Sequence, residues 1–172
     1  IAGCFEDALP QGDIDGYIDL RKRISLPIVL HHCPFGATYE VAMGAADAYM
    51  LGHAKIGTAV LRAGLFGAGD IPFMLQNVGT TITRAMTTHM MAAFPSANFH
   101  FVSATEVSRQ RFVTEPLHPV NGFIRVPEKP GLGIELDMKE VERLEGLEPR
   151  SKPIFIIVSK FDNGAILYTR PD

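Results

Sequence analysis

The chain has 172 residues, 47% of them hydrophobic and 20% charged, with a formal net charge of −3. That length supplies one core of ordinary size, and the mild acidity, with no cationic cluster beyond Arg21-Lys22-Arg23, excludes an electrostatic nucleic-acid footprint. No apolar run approaches the roughly 20 residues of a membrane span. Two cysteines without CxxC spacing, Cys4 and Cys33, read as reduced thiols of a cytoplasmic protein.

The chain opens with Ile1-Ala2-Gly3-Cys4-Phe5 and no methionine, as if entered in the middle of a strand, so a fragment of a longer protein is expected. A βα alternation follows. Apolar strands are predicted over 2–5, 27–30, 48–51, 72–75 and 98–102, with helices between them over 13–24, 39–46, 58–66 and 81–94. Asp13 is placed to cap the first helix, and Arg21-Lys22-Arg23 forms its solvated C-terminal turn. The glycines at 44, 64 and 67 weaken the second and third helices. Short strands alternating with helices at this interval mean parallel βαβ units, and strands apolar almost throughout mean a sheet covered on both faces. A doubly wound sheet and a (β/α) barrel both satisfy the pattern.

After Val102 the composition shifts to Pro, Gly and charge, with turns at Asn121-Gly122 and Pro130-Gly131. Asp137-Met138-Lys139-Glu140 is a capping-box pattern that should open a short helix ending near Gly146. Segments 154–160 and 165–168 flank Asp162-Asn163-Gly164, a strong hairpin signal.

If the strands run parallel, their C-terminal ends deliver Glu6-Asp7, His31-His32, Gly52-His53 and Gln76-Asn77 to a common rim, with Phe101 after the fifth. In a βα barrel that rim is where catalysis happens. A carboxylate and imidazoles together suit Zn²⁺, Mn²⁺ or Fe²⁺ better than Mg²⁺. Glu6 and His32 are the candidate ligands, and His53 is a weaker site candidate. Cys33 also invites a nucleophile or zinc reading, but adjacent strand residues point to opposite faces, so His32 and Cys33 should not converge. His89 lies inside a helical pattern and reads as packing or surface.

Four stretches, FEDALPQGDIDGYIDLRKRISLPIVLHH, GHAKIGT, IPFMLQNVGTTITRAMTTHMMAAFPSA and VPEKPGLGIELD, carry a resemblance to the C-terminal part of the enolase superfamily, in its mandelate racemase and muconate-lactonizing group. The resemblance covers nearly the whole chain. It implies the distal half of a modified (β/α) TIM-type barrel over 1–150, entered at the fourth strand. Residues 151–172 would then be a C-terminal hairpin that packs on an absent capping domain. The missing half of the barrel, from the same or another chain, would have to cover the exposed sheet edges. Homo-oligomers are common in the group.

Carried over residue by residue, the family's Glu-Glu-Pro motif reads Glu6-Asp7-Ala8, so Glu6 keeps the metal-ligand position. His32 stands where the fifth strand normally has an acidic ligand. Gly52 matches the sixth-strand Asp, with His53 beside it, Gln76 matches the catalytic His of the seventh strand, and Phe101 matches the acid of the eighth. The implied chemistry is proton abstraction next to a carboxylate, assisted by a divalent metal, Mg²⁺ by resemblance and Mn²⁺ or Zn²⁺ from the histidine substitution. His53 and Gln76 are then the catalytic candidates of a sugar-acid dehydratase or racemase-like lyase or isomerase. Gln76 cannot act as a base but can hydrogen-bond a substrate oxygen. The alternative is a catalytically impaired member of the family that binds small acids or regulates, and a third reading is a generic α/β domain with structural histidines.

Overall fold

The computed structural model describes residues 3–53, 55–105, 112–147 and 157–169. Residues up to Met138 make one compact unit and those from Lys139 onward a second.

In the first unit, strands β1 (Phe5–Glu6), β2 (Ile28–His31), β3 (Ala48–Gly52) and β4 (Phe73–Gln76) form a parallel sheet in the order β1-β2-β3-β4. Helices α1 (Ile14–Arg23), α2 (Ala37–Met43) and α3 (Ile56–Ala68) make the crossovers, and α4 (Thr81–Ala93) follows β4. Asp13 caps α1 by accepting from the Gly16 amide at 2.9 Å. Helix α2 stops three residues short of the predicted end because Gly44 takes the left-handed conformation (φ 65°) that closes a helix.

Side chains alternate across each strand. Ile28, Leu30, Tyr49, Leu51, Phe73 and Leu75 pack in one cluster with Tyr17 of α1, Ala37 of α2, Ala59, Ala63 and Phe66 of α3 and Met90 of α4. All four helices therefore share one face of the sheet, which rules out the doubly wound arrangement and leaves the winding of a barrel. The opposite face carries a smaller cluster, Val29, Ala48, Met50 and Met74, with Cys4 and Phe99 against it.

The strand expected over 98–102 is reduced to one parallel bridge, Gln76 with Val102. Asn98 and His100 are exposed, and among the described residues the segment's strand pairing is with β4. It does follow β4 closely: Val102 donates to Leu75 O at 3.1 Å, and Asn77 and Gly79 donate to Val102 O and Ser103 O at 3.0 and 3.2 Å. Arg84 of α4 is buried and fastens the same stretch, giving Nε to Ser103 Oγ and a guanidinium N–H to Leu117 O, each at 2.9 Å.

At the sheet's other end, Arg21 of α1 pairs with Asp47, which also accepts from the Ile28 amide at 2.8 Å. Burial would raise the Asp47 carboxyl, but the Arg21 hydrogen bonds, the Ile28 amide and the Arg21 charge outweigh it and hold the group below the usual carboxylate range.

The second unit contains most of helix α5 (Met138–Glu145), where Arg143 pairs with Glu140 at 2.7 Å, and an antiparallel hairpin of β5 (Ile157–Lys160) and β6 (Ile166–Thr169). The predicted Asp-Asn-Gly turn closes it: Gly164 sits at φ 84° and Asn163 Oδ1 accepts from the Ala165 amide at 3.0 Å. Positions 154–156 of the expected hairpin lie outside the described residues. Among the described residues no helix is long and apolar enough to cross a membrane.

Candidate active site

The register decides which strand-end residues meet. Glu6 lies opposite Val29, His31 opposite Met50, and Gly52 opposite Gln76. Each of these four polar or glycine positions falls in phase with Val29, Met50 or Met74, on the face away from the helices. Glu6, His31, Gly52 and Gln76 therefore line the C-terminal ends of four consecutive strands on that face.

Within this row, Glu6 Oε1 lies 3.2 Å from His31 Nδ1. Asp7 completes the corner. Its Oδ1 accepts from the His31 amide at 3.0 Å, and its Oδ2 accepts from Gln11 Nε2 at 2.6 Å. Glu6, Asp7 and His31 each offer one ligand atom, and the three atoms lie within 4.8 Å of one another. Two carboxylates and an imidazole at this spacing fit a divalent cation of the Mn²⁺ or Zn²⁺ type.

His32 sits differently from the expectation that paired it with Glu6. It follows β2 in a left-handed conformation (φ 75°), as does Cys33 (φ 57°), and that turn lays its ring on His31, with centroids 3.8 Å apart and planes 17° from parallel. Its amide donates to Met50 O and its carbonyl accepts from Arg62, both at 3.1 Å. Desolvation first, and the neighbouring His31 next, push the His32 imidazole below the usual histidine range, and a hydrogen bond to the Gly52 carbonyl opposes them. Asp7 (φ 47°) and His53 (φ 47°) are also left-handed, so β1, β2 and β3 each pass into such a residue. Strain of this kind on non-glycine residues concentrates at functional sites.

His53 is exposed at the end of β3, and its amide donates to Gln76 O at 2.7 Å. The Gln76 side chain is half-buried at the end of β4. His89 Nε2 lies 3.3 Å from Leu132 O, a structural contact far from the row in sequence.

Two participants were not singled out from the sequence. Asp7 and His31 were placed on the rim, but only the strand phase, which puts His31 on the same face as Val29, prefers His31 to His32. Behind the row, Glu40 of α2 is fully buried, accepts from the Phe35 amide at 2.9 Å, and receives a hydrogen bond from the Cys33 thiol. Burial raises the Glu40 carboxyl above its ordinary range against those bonds, and it pushes the Cys33 thiol up to about 12, which makes that cysteine a poor nucleophile.

Comparison with known proteins bears on this arrangement. The model of the enolase C-terminal domain-like family matches residues 2–141. The chain belongs to that family. A curated relative, D-galactarolactone cycloisomerase of Agrobacterium fabrum (strain C58), is 26% identical over an alignment of 151 residues that covers 77% of this chain and 39% of the relative. The solved mandelate racemase/muconate lactonizing family protein of Azoarcus sp. EbN1 is 23% identical with a TM-score of 0.72, covering 86% of this chain and 44% of its own. An enolase from alpha pretobacterium bal199, solved with bound Mg, is 22% identical with a TM-score of 0.65 over 82% of this chain and 38% of its own. The chain thus spans about two fifths of the length of these proteins, and its fold is the C-terminal part of an enolase-superfamily barrel.

Proposed function

We propose that the chain is part of an enolase-superfamily isomerase or lyase that removes a proton next to the carboxylate of a sugar acid or its lactone, with a divalent metal held at the ends of β1 and β2. The observation that carries this reading is the 3.2 Å approach of Glu6 Oε1 to His31 Nδ1, with Asp7 in the same corner. Enolase-superfamily sites work with divalent ions, and the cation supplies positive charge where negative charge develops on the substrate carboxylate. One imidazole among the ligands moves the preference from Mg²⁺ toward Mn²⁺ or Zn²⁺.

The chain's own residues divide the remaining work. Asp7 fixes the end of β2 through the His31 amide and so orients the imidazole. Gln76, on the same face, can donate to a substrate oxygen but has no basic nitrogen. The base would come from the missing part of the barrel, with His53, the exposed imidazole on the rim, as the weaker candidate within this chain. The remaining strands, from the same or another chain, would pair with β1, and copies would assemble into a homo-oligomer. The cycloisomerase relative favours an acid sugar or lactone as substrate. The unpaired thiols Cys4 and Cys33 fit a reducing cytoplasm.

A second reading has its own support. Gln76 stands where the resemblance expects the catalytic histidine and Gly52 where it expects the acid, which suits a protein that binds small acids without turning them over. Metal analysis followed by ¹H NMR of galactarate and its lactone in D₂O separates the two. Stoichiometric metal with deuterium exchange next to the carboxylate supports the enzyme; acid binding with no exchange under any of Mg²⁺, Mn²⁺ and Zn²⁺ supports the binding protein.

A further inference from the structure

Gly52 ends β3, and its φ lies outside the left-handed region. The backbone there accepts any residue, so its conformation does not explain the glycine. Space does. A Cβ on Gly52 would lie 2.3 Å from His31 Nε2, 2.4 Å from His32 Cε1 and 3.0 Å from His31 Cδ2. The stacked pair of imidazoles rests on the bare Cα of β3. His31 is thereby held from three sides: Glu6 at Nδ1, the His32 ring on one face, and Gly52 under Nε2. His31 Nε2 is fully buried and has no hydrogen-bond partner among the described residues, so no polar contact fixes that edge of the ring. Contact with the glycine does.

We propose that Gly52 is a positioning residue for His31: the absence of a side chain at the end of β3 lets the His31–His32 stack lie flat, and this aims His31 Nδ1 at Glu6 as a metal ligand. The inference rests on the metal reading above. It also makes the glycine and the two histidines one unit: a side chain at 52 and the imidazole stack compete for the same volume. The atoms that oppose a Cβ belong to side chains, so a substitution there displaces the rings rather than the strand.

The test is Gly52→Ala, alone and with His31→Ala, titrated with Zn²⁺ against a competing chelator. Loss of an outer-shell partner of a metal-binding histidine costs about 10–100-fold in affinity. Gly52→Ala is expected to lose that much, with far-UV circular dichroism unchanged. In the His31→Ala background it should cost nothing further, because the residue it acts through is gone. Unchanged affinity in Gly52→Ala, or a full additional loss in the double variant, overturns the proposal. If the wild-type chain takes up no Zn²⁺, the metal reading fails by itself, and the ¹⁵N shifts of the His31 imidazole then decide: a changed proton location on the ring in Gly52→Ala upholds the positioning role, and identical shifts overturn it. Should Gly52→Ala not fold, the triple variant with His31→Ala and His32→Ala must recover the fold; if it also fails, the strand itself requires glycine and the proposal falls.

Discussion

His31 Nδ1 faces Glu6 Oε1 at 3.2 Å and so joins the ends of β1 and β2, whereas His32, one residue later, stacks on His31 and bonds the end of β3 through the Gly52 carbonyl. The two adjacent imidazoles thus make separate contacts, and alanine variants should separate what each contributes. On the metal reading proposed above, His31→Ala and Glu6→Gln would remove ligand atoms and are expected to weaken Mn²⁺ or Zn²⁺ binding by about 100-fold or more, while His32→Ala would loosen only the support and should cost about 10-fold. Isothermal titration of the three variants checks the order. If His32→Ala is the most damaging, the ligand is His32.

How much of this was readable beforehand depends on the kind of information each residue carries. The βα period lies in the spacing of apolar runs, so the four strands and their helices follow from the pattern alone. The rim follows as well, because every parallel strand ends on the same side. The choice between His31 and His32 does not. It depends on where β2 ends and on the left-handed turn at His32 and Cys33; histidine takes positive φ more readily than most residues, but nothing in the sequence says which of two adjacent histidines does so. The seat on Gly52 is a contact with His31, a residue of the neighbouring strand 21 positions earlier in the chain. A glycine there reads equally well as a weak strand end. Glu40 looks like an ordinary exposed acid on a short helix, and only the packing of α2 on the sheet shows that it is buried.

Glu40 should cost stability at neutral and alkaline pH. Burial raises its carboxyl above the ordinary range, against the Phe35 amide, the Cys33 thiol and the Arg62 charge. A carboxyl raised in the folded state contributes stability that is complete below its unfolded value near 4.3 and is lost as pH rises through the folded value. Glu40→Gln keeps an acceptor for the Phe35 amide but cannot ionise. It is expected to be more stable than wild type at pH 8, by on the order of 1 kcal/mol, and no more stable at pH 4. Urea midpoints at the two pH values check this; a variant less stable at both would mean that the carboxylate is satisfied where it lies.

Asp47 should behave in the opposite sense. Its carboxyl is held low by Arg21 and the Ile28 amide despite partial burial. A depressed carboxyl contributes stability above its unfolded value near 3.9 and loses it as pH falls through the folded value. Asp47→Asn should therefore be less stable than wild type from pH 5 upward, and the two should converge as pH falls through the folded value. Because the pair is half-exposed, added salt should shrink the difference at pH 7. A gap between the two proteins that ignores both pH and salt would assign the loss to the neutral hydrogen bonds instead.

Phe66 of α3 is the aromatic that ties the helical layer to the sheet. It is fully buried, stacked on Tyr49 of β3 at 4.9 Å and tilted against Phe73 of β4 at 5.4 Å, and Phe73 continues to Phe94 at 6.1 Å. Truncation to alanine leaves a cavity between two adjacent strands and the helix that covers them, at a cost of about 3–5 kcal/mol. That is a large share of the 5–15 kcal/mol typical of a whole domain. Phe66→Leu keeps an apolar group in the gap and should cost no more than about 1.5 kcal/mol. The site should feel the same change, because Tyr49 shares β3 with Gly52, and a shift of that strand moves the seat of His31. Phe66→Ala is therefore expected to lower Zn²⁺ affinity as well as the urea midpoint, with Phe66→Leu sparing both. Destabilisation with undiminished metal affinity would show that the end of β3 is held by its neighbours in the sheet and not by the helix behind it.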